Sequence, residues 1–356
     1  MMDTIELLKE LIRIPSFSRE EKEACDFLER WMRNEGFPVR RKGNNLWCCP
    51  DPAGADGKPT LLLNAHIDTV RPASGYTRDP YSPVEEDGRL YGLGSNDDGG
   101  SLAALLEAYS QLSARPQPYR LVFSATAEEE VSGRGGIEAI LPDIGEIDFG
   151  IIGEPTGMRM AVAEKGLMVL DCTVPGKSGH AAREEGINAL YRALPDIEWF
   201  RTHRFGKVSD FLGPVKMTVT QIQAGTQHNV VPDRCTFVVD VRPNGLYTNP
   251  ELLERIRSSV RCEVRERSTR LGSSSLPMSH PAVRRGLSLG LEPFGSPTTS
   301  NQALVSFPTL KIGPGNSARS HSADEYILVP EIRTAVGIYV SLLDGLQLPL
   351  EKGAKP

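Results

Sequence analysis

Residues 61–70 read Leu61-Leu62-Leu63-Asn64-Ala65-His66-Ile67-Asp68-Thr69-Val70. The apolar run 61–63, bounded upstream by Asp56-Gly57-Lys58-Pro59, predicts a strand buried on both faces. That strand delivers His66 and Asp68 at its C-terminal end, where open α/β sheets hold their sites. Two residues apart in extended backbone, the pair leaves the chain on the same face. A neutral imidazole is the commonest metal ligand, and a nearby carboxylate often fixes its tautomer. Without a metal the same pair is a His–Asp hydrogen bond, and this stretch alone leaves both readings open.

At 356 residues the chain is long enough for two domains. Its 39% hydrophobic and 24% charged residues are ordinary for a globular protein. A net charge of −6, from 40 basic and 46 acidic residues, gives no electrostatic case for nucleic acid or an anionic membrane. No apolar run is long enough to cross a bilayer. The start, Met1-Met2-Asp3-Thr4-Ile5-Glu6, lacks the basic region of a secretory signal. The six cysteines include no Cys-x-x-Cys pair and read as reduced, buried thiols of a cytoplasmic protein. Any metal must therefore use histidine and carboxylate donors.

Apolar spacing predicts a helix over 4–14, ended by Pro15. Ser18 and Glu21 have capping-box spacing before a second helix that turns Ala24, Phe27, Leu28 and Trp31 inward. Strands follow at 46–49, 61–63, 121–125 and 149–152, with a helix at 101–111. That alternation predicts an α/β fold with a mostly parallel sheet. From residue 165 the pattern changes to strands at 167–174, 216–223, 234–241 and 262–266, with helices at 187–201 and 251–258. This β-α-β-β-α-β order predicts a ferredoxin-like α+β unit. A strand at 309–313 resumes the first pattern. The expected domains are 1–164 with 272–356, interrupted by an insert at 165–271. The tail after Leu350 reads as disordered.

Asp97 lies in Ser95-Asn96-Asp97-Asp98-Gly99-Gly100, where it is either a helix cap or a carboxylate that bridges two cations. Glu128-Glu129-Glu130 directly follows a buried strand, and such neighbours repel unless a cation or water offsets them. In near-extended backbone one would face a metal and the next a substrate water. The alternative is a solvated acidic turn. Glu154 follows the strand 149–152, and His321 follows Gly313-Pro314-Gly315. A parallel sheet gathers such positions at one edge, which brings His66, Asp97, Glu130, Glu154 and His321 together. One imidazole and one private carboxylate per ion, with a shared carboxylate, make a two-cation cluster. Nitrogen and oxygen donors without thiolate suit two Zn2+, with Co2+ or Mn2+ as alternatives.

Five segments carry a resemblance, in the right order from the first helix to about residue 345. They are His66-Ile67-Asp68-Thr69-Val70, Gly92 to Gly100, Ala127-Glu128-Glu129-Glu130, Gly153-Glu154-Pro155-Thr156, and Gly313-Pro314-Gly315 with His321-Ser322-Ala323-Asp324-Glu325. Together they resemble the metallopeptidase M20 family, which includes succinyl-diaminopimelate desuccinylase and carboxypeptidase G2. Length and motif wording are nearest its acetylornithine deacetylase-like members. The resemblance implies a zinc-exopeptidase-like catalytic domain with an inserted lid and dimerisation domain. It also implies that His66 and Glu154 hold one zinc, Glu130 and His321 the other, with Asp97 bridging. Asp68 would orient His66. Glu129 would take a proton from the attacking water and return it to the leaving amine.

His180, in Gly176-Lys177-Ser178-Gly179-His180, is similar to a lid histidine that reaches the active site from the partner of a homodimer. Asn229 and Arg242 match positions that hold substrate; Arg242 is either a two-pronged partner of a substrate carboxylate or a salt bridge within the lid. Leu93 and Gly99 stand where many members have Arg and Lys, and His180 is followed by Ala181-Ala182-Arg183 where Ser pairs are common; an acidic acyl group or the partner chain is the expected contact of Arg183.

The function implied is a dinuclear zinc-dependent amidohydrolase that removes an acetyl or succinyl group from a small amino acid. N-acyl-ornithine or N-acyl-citrulline in arginine biosynthesis comes first. Succinyl-diaminopimelate desuccinylase, a metallodipeptidase or a carboxypeptidase are the alternatives within the same chemistry. A non-catalytic relative that binds amino acids or peptides is the alternative outside it, and Glu129 argues against that one, since binding alone needs no base.

Overall fold

The structure, a computed structural model, describes residues 3–49 and 57–349, so the tail after Leu350 lies outside the described residues. The chain divides into two compact units. The first holds the residues up to Val162, Leu276–Phe294 and those from Ser300 on; the second holds Ala163–Ser275 and Gly295–Thr299. The second unit thus begins two residues before the expected insert, ends four after it, and takes in a short later segment.

The first unit is built on the expected α/β sheet. Four strands run parallel in the order Arg120–Thr126, Thr60–His66, Phe149–Ile152 and Thr309–Lys311. Antiparallel strands flank them: Asn45–Cys48 and Val39–Lys42 on one side, and Met160–Glu164 on the other through Ala161 opposite Lys311. Every residue of Thr60–His66 is buried. Leu61, Leu63 and Ala65 join Leu8, Leu28, Leu105 and Tyr339 in a core on one face. Leu62 joins Val122, Ile152, Ile137 and Ile140 on the other. The continuous leucine run is therefore what a strand between two helical layers requires, and truncating one such leucine to alanine costs about 2–5 kcal/mol.

The first helix, Thr4–Ile12, is capped by Asp3, whose carboxylate accepts from the amides of Ile5 and Glu6. The second, Lys22–Asn34, starts without the expected Ser18 cap. Ser18 Oγ instead donates to Asp68 Oδ2 at 2.8 Å. A bond to a buried carboxylate is charge-assisted and outcompetes a neutral cap. Glu21 likewise turns away from a capping box, accepting from Arg19 N at 2.5 Å and Asn44 Nδ2 at 2.9 Å.

The second unit has the ferredoxin-like order. Its sheet runs Lys216–Ala224, Arg234–Arg242, Met168–Pro175, Glu263–Glu266, with every neighbouring pair antiparallel. Burial alternates along Met168–Pro175, as one covered face dictates. Helices Ala189–Thr202 and Asn249–Ser259 supply the cover through Ala193, Phe200, Leu252 and Ile256. Thr248 and Glu251 form a reciprocal capping box at the second of these helices.

All six cysteines are buried thiols outside any disulfide. Among the described residues no helix is long and apolar enough to cross a membrane. His280 caps the helix Pro281–Ser288 and lies 4.5 Å from the Phe149 ring, centroid to centroid. Burial lowers its pKa to about 4. Unfolded, the imidazole takes a proton near pH 6.5. Between these values the unfolded chain binds more protons, so stability falls as pH drops from about 6.5 toward 4. His280→Asn keeps a capping side chain and removes the titration. Denaturant midpoints against pH are expected to be flatter for that variant over this window; an unchanged slope would count against a neutral buried His280.

Candidate metal centre

The parallel register places the ends of the four strands side by side. His66 is the last residue of its strand and lies opposite Thr126, while Asn64 lies opposite Ile152. Glu129 and Glu130 follow the first neighbour, and Glu154 the second. Gly313 closes the last strand, where an added Cβ would lie 2.5 Å from the Glu154 carbonyl oxygen. Only glycine lets these two loops run so close.

His66 is 2% exposed. Its Nδ1 lies 2.8 Å from the backbone oxygen of Asp68, with Asp68 Oδ1 further off at 3.5 Å. A carbonyl only accepts, so Nδ1 carries the proton and Nε2 presents its lone pair. The tautomer is thus set mainly by a carbonyl, where a carboxylate was expected. The Asp68 carboxylate faces His66 as expected and has a second task besides. It accepts from Glu129 N at 3.0 Å, Glu130 N at 3.1 Å and Ser18 Oγ, which fixes the turn carrying both glutamates.

His66 Nε2 faces Asp97 Oδ1 at 3.2 Å and Glu129 Oε2 at 3.9 Å. The other Asp97 oxygen, Oδ2, lies 3.7 Å from His321 Nε2, which is 3.0 Å from Glu130. One carboxylate therefore spans two imidazoles. Asp97 does not cap the following helix, Gly100–Ser113, whose N-cap is Gly99. Ligand atoms of His66, Asp97 and Glu130 lie within 4.8 Å of one another, as do those of His66, Glu129 and Glu154. All five donors foreseen from the sequence thus converge. The second group includes Glu129 rather than Asp97 beside Glu154, so geometry alone leaves Glu129 near enough to ligate as well as to act as a base.

Glu128, Glu129 and Glu130 are not extended. Glu128 has φ +56° and forms a turn. Its carboxylate packs toward Gly133 and Gly135, with Arg19 Nε at 3.9 Å, away from the cluster. That leaves two glutamates for the chemistry.

Electrostatics test whether cations fit here. Burial first, then neighbouring carboxylates, push Glu129 and Glu154 well above the ordinary carboxylate range. Burial also raises Glu130. Burial alone would lower His66, but the carboxylates of Asp68, Asp97 and Glu129 outweigh it and raise its pKa. The hydrogen bond to Glu130 raises His321 to about 9. So many crowded, half-buried carboxylates around two imidazoles are unfavourable alone, and a positive charge offsets them. The donor set is nitrogen and oxygen only, which fits divalent zinc, cobalt or manganese.

Two further residues, Glu325 and Asn96, also shape the site. Buried Glu325 accepts from Gly94 N at 3.1 Å, Asn96 N at 2.9 Å and Asp97 N at 2.9 Å. Asn96 reaches back to Asn316 and Ser320, just before His321. Lys311, buried at its strand end, pulls the Glu154 pKa downward against the larger effects of burial and neighbouring acids.

The remaining residues lie in the second unit. His180 is exposed, and its Nδ1 accepts from Ala182 N at 3.1 Å. Asn229 is joined to the same loop, its carbonyl accepting from Ala181 N at 2.9 Å. Arg183 is exposed, 3.9 Å from Glu185. Arg242 closes its fork on Asp240, at 2.7 and 3.0 Å, and gives Nη1 to Thr299 Oγ1 at 3.2 Å. The two-pronged face is thus taken by a salt bridge within the unit. His203 stacks on Trp199, a packing role.

Comparison with known proteins agrees with this geometry. Residues 62–345 match the model of peptidase family M20/M25/M40. The chain is 27% identical to a succinyl-diaminopimelate desuccinylase of Delftia acidovorans, over 98% of this chain and 99% of the relative. A second desuccinylase, from Acidiphilium cryptum, is also 27% identical, over 96% and 98%. Among solved structures, aminopeptidase PepT of Bacillus cereus superposes with TM-score 0.77 at 21% identity, covering 96% of this chain and 97% of the other. A dinuclear metal-binding M20 peptidase of Bacillus subtilis gives 0.72 at 17%, covering 96% of each. The chain belongs to peptidase family M20/M25/M40. It is a hydrolase of that family.

Proposed function

We propose that the chain is a two-cation amidohydrolase that releases a small amino acid from its N-acyl derivative. The observation that carries this reading is the Glu129 carboxylate, only 11% exposed and 3.9 Å from His66 Nε2, beside Asp97, which faces both imidazoles of the donor cluster. Two divalent ions, zinc first and cobalt or manganese as alternatives, would be held by His66 with Glu154 and by His321 with Glu130, sharing Asp97. When bound, they polarise the amide carbonyl and make the attacking water more acidic. Glu129 takes the water's proton at its carboxylate and delivers it to the leaving nitrogen. Its raised pKa suits a group that must both accept and give a proton near neutrality. Asp68 keeps the Glu129 backbone in place throughout.

For the substrate, an N-succinyl diamino acid of the diaminopimelate type now comes first. The support is the pair of desuccinylase relatives that span nearly the whole chain. N-acetyl- or N-succinyl-ornithine and -citrulline follow, on motif wording alone. Initial rates on these compounds and on a dipeptide and tripeptide panel discriminate among them. A clear preference for succinylated diaminopimelate is expected. Hydrolysis of peptides alone would replace the N-acyl reading, and no hydrolysis of any amide would leave a binding protein.

His180 and Asn229 are proposed as substrate-contacting groups of the lid, and the chain as a cytoplasmic homodimer. Lys216–Ala224 is an edge strand with Ile222 exposed, and Tyr191 and Leu194 are exposed on the helix packed beside it. An unpaired edge flanked by apolar side chains favours pairing with a second copy. His180→Ala is expected to lower turnover while metal content stays at the wild-type level. A monomer in solution scattering would remove the dimer.

A further inference from the structure

We infer that Glu325 and Asn96 are positioning residues that lock Asp97 and His321 into one preformed half of the cation site. The inference rests on the two-cation reading. Asp97 and His321 are 224 positions apart in sequence, and neither lies in a regular element that would hold it. Asp97 sits in a turn with φ −125° and ψ 95°, while His321 has φ +57°. Left to themselves, both segments have many conformations, and placing two ligands costs entropy for each.

The structure ties them from both sides. Glu325, 2% exposed, receives three amides of the Asp97 turn: Oε2 takes Gly94 N, and Oε1 takes both Asn96 N and Asp97 N. With its own amide fixed this way, Asp97 can aim only its side chain at the histidines. Asn96, 2% or less exposed, returns the tie. Its Oδ1 accepts from Asn316 N at 3.0 Å, and its Nδ2 donates to Asn316 O at 3.1 Å and Ser320 Oγ at 3.2 Å. Gly315 makes room, since an added Cβ there would lie 2.4 Å from Asn96 Oδ1. Six hydrogen bonds thus join the turn before Asp97 to the loop around His321. A carboxylate is needed at 325 because all three partners are donors, and an amide would turn its own N–H groups on one of them.

Neighbouring Asp324 provides a control built into the same loop. It also accepts three hydrogen bonds, from Thr77 N, Thr77 Oγ1 and Arg78 N, but none from the Asp97 turn. Loss of outer contacts that orient ligands typically weakens metal binding about 10–100-fold.

The test titrates the full-length metal-free protein with Zn2+ and with Co2+, reading stoichiometry, affinity and the cobalt absorption spectrum. Glu325→Ala is expected to weaken cation binding about 10–100-fold, most at the equivalent that depends on His321 as well as Asp97, and to alter the cobalt spectrum, with Glu325→Gln weakened less. Asp324→Ala is expected to match wild type in both. If Glu325→Ala fails to fold, Glu325→Gln decides. A folded Glu325→Gln with two unweakened equivalents overturns the inference, as does equal weakening in Asp324→Ala. Should wild type bind no cation, the two-cation reading fails instead. Amide exchange at Gly94, Asn96 and Asp97 in the metal-free protein then decides the lock by itself: faster exchange in Glu325→Gln supports it, and unchanged exchange overturns it.

Discussion

Glu129→Gln is expected to keep both cations and lose about 10²–10⁴-fold in kcat, the usual contribution of a general acid–base group. Glutamine preserves the size of the side chain, and the backbone amide stays on Asp68 Oδ1. What disappears is the ability to take a proton from water and give it to the departing nitrogen. Steady-state kinetics paired with metal analysis separate the two roles that geometry allows. Full metal content with low kcat marks a base. Loss of one equivalent would instead make Glu129 a ligand beside His66 and Glu154. Unchanged kcat would remove it from the chemistry.

Asp97→Ala is the variant with the largest expected effect on the centre. One Asp97 oxygen faces His66 and the other faces His321, so both cation positions lose a donor together. Activity is expected to fall to background and metal content to drop below one equivalent. Ligand binding stabilises a fold by about 4 kcal/mol when free cation exceeds Kd a thousandfold. Wild type should therefore gain Tm strongly with added zinc, and the variant should gain little. Without metal the variant should be somewhat less stable than wild type near neutral pH: burial raises the Asp97 pKa, but the hydrogen bond and charge of His66 and the charge of His321 outweigh it and favour the carboxylate that the variant lacks. A variant that still gained Tm like wild type would show that Asp97 does not bridge.

The candidate donors could be read from the sequence because they obey a simple rule. Each follows a buried strand or its loop, and a parallel sheet aligns strand ends whatever the distance along the chain. The leucine run at 61–63 was enough to place His66, and the acid run after 125 enough to place Glu129 and Glu130. The tasks of Asp68, Glu325 and Asn96 were not legible, since a side chain that accepts or donates to backbone leaves no periodic trace. Ser18 and Glu21 had the spacing of a capping box but were drawn to buried charge and to loop amides. Arg242 offered two readings that differ only in whether Asp240 is near, which spacing by two in a strand suggested without deciding.

Fold elements were missed for a related reason. The sheet of Tyr326–Leu328, Arg89–Tyr91 and Val84–Glu86 has strands of three residues, too short for alternation to register. The helix Val329–Leu343 begins with Val329-Pro330, which reads as a break but is the proline allowed in a first turn. The inserted ferredoxin-like unit was clear because its strands alternate over eight or nine residues.

Everything turns on whether crowded carboxylates and imidazoles at the sheet edge are held together by paired divalent ions. Metal analysis of the protein after equilibration with zinc and removal of the excess measures this directly. Two tightly held equivalents per chain, lost together with activity on chelation and restored together by zinc or cobalt, is the predicted result. A chain that hydrolyses its substrate at full rate with no bound metal would contradict it.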